Sequence, residues 1–464
     1  MVTQRVDRSQ RLAWLEGIRI VAVVALLLYQ AQLRYTGYAY TPQPTGFANN
    51  LNQLVIITGN LPELGGLTRI LGLPVWFGFQ FIDVFVLISG FSLVLSLRGE
   101  PLQPMPFLRH RLGRVLWPFW TVAWLSYPTL WAISVATKTY LPNPWFIFAG
   151  VSFPLLHSYN GQLLMSTSGP WWLVSLIISF VLLFPWLWYL LHRWGASNLL
   201  TVSILVTLLY RSLAIFVLEG HPTYVLWDSP AGWQPFALFL SKLSTFVVGM
   251  VVGQAFLRGS SPVHWSPQKA LLVGVPIYVL GFVCQFYYVG WIFADLLVPL
   301  GLTLCCMTVS RWLARWEWLA LGMIAIGAHT YSYFLLHGLV VDRMLQLIVQ
   351  GQPVRYALAL PVMVVGTLVL AMIVDSVTPL IRGIVTGILR DVDYVLSTSP
   401  ALHRRVWDLR VGDEVVYQGE AGWTVLKVEK LWDEQEFLLC QVSDGQRSLW
   451  VNEDDLEPSG QFLR

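Results

Sequence analysis

Hydrophobic positions in this 464-residue chain come in long blocks rather than in strict alternation. A helix needs about 20 mostly apolar residues to cross the hydrocarbon core of a bilayer. Runs of that kind fall at 13–33, 75–97, 114–136, 170–191, 198–218, 236–257, 269–289, 291–310, 325–349 and 356–381. The pattern therefore predicts about ten transmembrane helices. An eleventh run, 143–158, is shorter and broken by Pro144 and Pro154, and is expected to stay on one side. From about Val406 the pattern changes to short β-type runs, EVVYQG, WTVLKV, EFLLCQV and RSLWV. Turn signals separate them, among them Asp444-Gly445, a strong hairpin dipeptide. The expected fold is an all-α polytopic membrane domain over 1–400, followed by a small all-β barrel of SH3-like or Tudor-like type over 401–464.

Composition sharpens this picture. Only 12% of residues are charged, against roughly 25% in a soluble domain. That excludes a disordered chain, a nucleic-acid binder and an ordinary cytosolic enzyme. The 23 tryptophans suit a protein with two membrane interfaces. A net charge of +3 is too small to indicate an anionic partner. Position matters more than sum: residues 401–464 hold 7 basic and 13 acidic side chains, which marks a separate acidic, water-soluble tail. In the body, a ten-helix path with the amino terminus inside puts sixteen Lys and Arg in inner loops and four in outer ones. Cytoplasmic loops are enriched in these residues, so both termini are expected in the cytoplasm. The first apolar run contains Arg19 and lacks a small-residue cleavage site, so it reads as a retained helix. Cys284, Cys305, Cys306 and Cys440 form neither a disulfide framework nor a metal pattern, and no metal or bound cofactor is expected. The segment 34–74 reads as a long, nearly uncharged outer loop, a functional type of feature. Gly249 and Gly253 have the spacing of close helix packing.

Ionisable residues inside spans are the functional candidates, because charge in hydrocarbon is costly. The first helix carries Glu16 and Arg19, then Gln30 eleven residues later, about 16 Å along the axis and on the same face. Asp83 lies in the second, and Arg111 and Arg114 share a face just before the third. Further along come Arg211, Lys242, Asp295, His329, His337, Asp342, Arg343 and Asp375.

Seven of these positions fall in four blocks that resemble the integral-membrane acyltransferase-3 family. LEGIR at 15–19, followed by position 30, is similar to the family's L-D-G-x-R with a histidine eleven residues on. FIDVFVLISGF at 81–91 resembles G-V-D-L-F-F-V-L-S-G-F, including its structural SGF turn. HRLGRVLWPFW at 110–120 is similar to R-x-x-R-I-x-P, and TYSYFLLHG at 330–338 to S-Y-x-x-Y-L-x-H. The blocks stand in family order across the membrane domain, and the tail lies outside them.

The resemblance implies transfer of an acyl group, commonly acetyl, from cytoplasmic acyl-CoA to a hydroxyl of an envelope glycan or lipid. It also implies a bacterial plasma membrane. Carried over, Arg19, Arg111 and Arg114 would face the anionic donor, since guanidinium forks bind phosphates bidentately. The sequence departs from the family where a base should be. Gln30 replaces the histidine, and an amide does not take up a proton near neutral pH. In WLVSLIISFVLLFP at 172–185, Ile177 and Ile178 replace the family's paired glutamates and Ser179 its glutamine. Three functions stay open. One is an O-acyltransferase with a relocated base at His337, His157 or Asp83. Another is a lapsed enzyme, a pseudoenzyme that keeps the fold to bind a lipid, glycan or protein, with 406–459 as dock for a cytoplasmic partner. The third is a lipid or small-molecule transporter using Asp83, Asp295 and Asp375.

Overall fold

The computed structural model describes residues 2–36, 43–59, 76, 78–97, 101–138, 171–217, 238–398, 411–432, 436–452 and 455–458. The chain divides into two compact units, Met1–Ile381 and Arg382–Arg464. The run at 143–158, the charges at Arg69, Arg98, Arg404 and Arg405, and the candidate base His157 lie outside the described residues.

The first unit is helical. Its elements are α1 (Val2–Tyr35), α2 (Phe47–Gly59), α3 (Phe81–Ser96), α4 (Pro104–Thr137), α5 (Trp172–Phe216), α6 (Leu238–Leu257), α7 (Pro267–Cys284), α8 (Tyr288–Leu313), α9 (Glu317–Gly327) and α10 (Thr330–Met344). The last helix, α11, covers Pro353–Thr398. Among the described residues, eight helices are long and apolar enough to cross a membrane: α1, α3, α5, α6, α7, α8, α10 with its π-helical extension, and α11. Two of the ten predicted runs, 170–191 and 198–218, fall in α5, whose 45 residues are about twice one bilayer crossing. The backbone leaves helical geometry there at Gly195, with φ 80° and ψ 164°. The run at 114–136 lies in α4, which is not among the eight, because Trp, Pro, Ser and Thr dilute its aliphatic content. Proline at the first turn starts α4 and α7, and the Ser266 hydroxyl caps α7 by accepting from the Lys269 N–H at 3.3 Å.

Two expectations are corrected. Segment 34–74 is not all loop, since α2 lies within it. Asn50 fixes the approach to α2: its Nδ2 donates to the Gln43 and Gly46 carbonyls, each at 2.7 Å, and its Oδ1 accepts from the Gln43 N–H. The supposed SGF turn is likewise helical, because Ser89, Gly90 and Phe91 sit inside unbroken α3. Glycine is needed at 90 for contact rather than for bending. A Cβ there would strike the Phe246 carbonyl, and one on Gly249 would strike the Leu87 carbonyl. The helices α3 and α6 therefore meet backbone to backbone.

A buried charge network crosses the same region. Lys242 on α6 lies 2.7 Å from the Asp83 carboxylate of α3 and also pairs with Asp295 of α8. Arg211 of α5 completes it, 2.5 Å from Asp295 and donating through Nε to the Trp291 carbonyl at 3.0 Å. Two cations balance two anions, which is how charge persists away from water.

In the second unit, β1 (Glu414–Tyr417), β2 (Glu420–Trp432), β3 (Glu436–Ser443), β4 (Ser448–Asn452) and β5 (Leu456–Pro458) pair antiparallel in the order β4-β3-β2-β1-β5. Among the described residues the pairing runs from β4 at one end to β5 at the other, which gives the tail the small all-β module expected of it. Val415, Trp423, Val425, Cys440, Val442, Val451 and Leu456 form its small core. The predicted hairpin is present. Gly445 takes φ 88°, and Asp444 Oδ1 accepts from the N–H groups of Gln446 and Arg447, each at 2.8 Å. The Arg447 and Gln446 N–H groups hold the Asp444 carboxyl below the usual carboxylate range.

Candidate active site

The three arginines named from the sequence meet at one cavity of about 170 Å³. Arg19 enters from α1, and Arg111 and Arg114, one turn apart, enter from α4. Ser89 and Ser92 of α3 add hydroxyls, and Ile177 of α5 with Phe246 of α6 supply apolar wall. Arg19 is held at both ends of its fork. Nη1 lies 2.6 Å from Glu16 Oε1, one turn back on the same helix, and Nη2 donates to Ser92 Oγ at 2.9 Å. The Arg111 guanidinium packs over the Phe107 ring, 5.9 Å from its centre. Burial, then the neighbouring Arg114 and Arg19 charges, push Arg111 below its ordinary pKa. Three cations against the single carboxylate of Glu16 leave positive charge for an anion to neutralise, and guanidinium forks in partly dry surroundings suit a phosphate.

Nearby contacts fix the frame. The Tyr331 hydroxyl of α10 donates to the Val115 carbonyl at 3.0 Å, next to Arg114. The Trp171 indole donates to the Leu335 carbonyl at 2.9 Å. The candidate bases His337 and Asp83, and Gln30 at the family's histidine position, go elsewhere: none of the three lines the arginine cavity. Gln30 is half-buried, three helical turns beyond Arg19 and one turn before Arg34. Arg34 donates to the Gly338 carbonyl at 3.0 Å and lies 3.2 Å from Asp342. His337 is 1% exposed, with Nδ1 2.5 Å from the Phe334 carbonyl. A nitrogen facing a carbonyl must donate, so Nδ1 carries the proton and the lone pair of the neutral ring sits on Nε2. Asp83 is committed to Lys242 in the charge network.

The isoleucines are placed as informatively as the arginines. Ile177 lines the cavity, and the next residue, Ile178, is buried. The Ser179 hydroxyl turns back to the Ser175 carbonyl at 2.8 Å. The chain aligns here with a family model described as an acyltransferase domain, which matches residues 12–375. The chain belongs to the acyltransferase-3 family. No curated protein and no solved structure matches it. As an acyltransferase-3 protein it is a membrane protein of acyltransferase type, and the match ends before the tail sheet begins.

One cluster in this family member was not picked out from sequence. His329 Nδ1 lies 2.6 Å from Asp375 Oδ2, and Ser332 donates to the other oxygen of the same carboxylate. The sequence marks His329 and Asp375 singly as ionisable residues within spans and gives no sign of Ser332. Their pairing joins α10 to α11 and carries no local signature, beyond His329 and Ser332 lying one turn apart.

Proposed function

We propose that this protein binds acyl-CoA at the arginine cavity and belongs to the branch of membrane chemistry that moves an acyl group to a hydroxyl of an envelope glycan or lipid. The convergence of Arg19, Arg111 and Arg114 carries the reading. A CoA donor presents phosphates that such a cluster recognises, and its thioester carbonyl needs donors such as Ser89 or Ser92 for polarisation. Transfer requires a base to take the acceptor hydroxyl's proton as the oxygen attacks the thioester carbonyl, with CoA leaving as its thiol. Of the described candidates we assign His337 as this base, because the Phe334 contact leaves its Nε2 lone pair unused whereas Asp83 is paired with Lys242. The proposed path has ten crossings and both termini in the cytoplasm, which puts the arginine cavity on the donor side. The tail sheet, read as SH3-like, serves as a dock for a cytoplasmic protein.

A second reading has an observation of its own. The cavity has Ile177 on its wall, Gln30 stands at the family's histidine position, and among the described residues no imidazole or carboxylate lines the cavity. A lapsed enzyme that still binds the donor fits those facts. Purified protein incubated with radiolabelled acetyl-CoA and an envelope extract separates the two. Turnover by the unmodified protein, abolished in Arg19→Ala, supports the enzyme; saturable CoA binding without turnover supports the lapsed form. A transporter draws least support, since Asp83, Asp295 and Asp375 all have partners within the fold.

A further inference from the structure

We infer that a second cavity in the membrane body seats the acyl chain of the donor, so that the preferred thioester carries an aliphatic chain longer than acetyl. The inference rests on the donor reading above and names the class of acyl group.

The second cavity holds about 110 Å³ and lies among α1, α3, α6, α8 and the 3₁₀ turn Pro262–His264. Its walls are hydrocarbon and aromatic, with Ile18, Ile88, Phe91, Val252 and Leu304 representative, and among the described residues Thr303 alone brings a hydroxyl. Such a space stays dry, and its lining loses dispersion contacts until apolar atoms fill it. Thr303 Oγ1 is buried and finds no hydrogen-bond partner among the described residues.

Continuity with the arginine cavity picks the occupant. Ile88 lines both spaces. Ile18 faces the apolar cavity and the next residue, Arg19, faces the cationic one; Phe91 and Ser92 repeat that division on α3. The two cavities thus lie on either side of the α1–α3 seam, which the Arg19–Ser92 hydrogen bond closes at 2.9 Å. A donor with its phosphates on the guanidiniums reaches the apolar side past Ile88. A phospholipid offers the same pairing of phosphate and aliphatic tail, and the thioester titration below separates the two sources.

Calorimetric titration of the full chain in nanodiscs with acetyl-, butyryl- and hexanoyl-CoA tests this. Hexanoyl-CoA is expected to bind at least about tenfold tighter than acetyl-CoA, given the gain per buried methylene. The filling variants Val252→Phe and Leu304→Phe should each remove that gain while leaving acetyl-CoA affinity within about twofold, which also reports that they fold. Equal affinity for all three thioesters, with binding lost in Arg111→Ala, would leave the donor reading standing and reduce the second cavity to a packing defect. A chain-length preference that survives both filling variants overturns the assignment of this cavity. Loss of a co-purifying phospholipid with no change in thioester binding makes it a lipid seat. Failure of every thioester to bind removes the donor reading itself.

Discussion

At the scale of single residues, Arg19 and Lys242 illustrate two uses of charge inside a membrane. Arg19 is only partly satisfied, by Glu16 and Ser92, and it faces a cavity. Lys242 is held between Asp83 and Asp295 and lines neither of the two cavities described. Lys242→Met therefore leaves uncompensated carboxylates and should destabilise the protein by about 3–5 kcal/mol, as breaking a buried pair does. Thermal unfolding in detergent should register this, and adding Asp83→Asn should recover part of the loss. A stability unchanged in Lys242→Met would mean the network is not formed. His337→Gln should lower turnover by a factor on the order of 10²–10⁴ if Nε2 is the base, and a rate within twofold of the unmodified protein would remove it from the chemistry. The arginine site was legible in the sequence because Arg111 and Arg114 share a helix face and Arg19 sits in a recognisable block. The fate of Asp83 was not legible. Its partner is brought to it by the packing of α3 on α6, which no local pattern records.

At the scale of elements, long apolar blocks mapped onto helices because backbone polar groups in hydrocarbon must bond within their own segment. The misread pieces have physical causes. Helix α2 was hidden because Phe47–Gly59 mixes Asn and Gln with apolar residues and sits among turn-formers. The SGF block suggested a turn, yet Gly90 serves a backbone contact that only the partner helix reveals. It follows that Gly249→Leu should drive α6 from α3 and cost about 1–3 kcal/mol or more, with loss of CoA binding because Phe246 and Ser89 line the same cavity. An unaltered melting temperature would contradict the backbone contact. In the tail, the depressed Asp444 pKa has a sign that can be tested. Its contribution to the β3–β4 hairpin is fully present above the ordinary carboxylate value and is lost as pH falls through the lower folded value. Hydrogen exchange at the Gln446 and Arg447 amides should accelerate relative to neighbours as acid is added below about pH 4, the ordinary carboxylate value. Asp444→Asn, which keeps the acceptor oxygen, should flatten that dependence.

At the scale of the whole molecule, the sequence divides into a membrane body and an acidic tail by charge alone, and the structure divides into two units. The tail's strands were legible, because alternation predicts strands and pairing, though not whether the sheet's edges meet. The body's central claim is chemical: an acyltransferase-3 fold that keeps the cationic donor site after changing the residues around the base. Calorimetry of acetyl-CoA binding to the intact chain, beside Arg111→Ala/Arg114→Ala, tests it most directly. The account predicts saturable binding weakened by about tenfold or more in the double variant, the effect of losing charge-assisted hydrogen bonds worth roughly 1.5–3 kcal/mol each. Equal affinity in the two proteins, or no binding by the unmodified one, would contradict it.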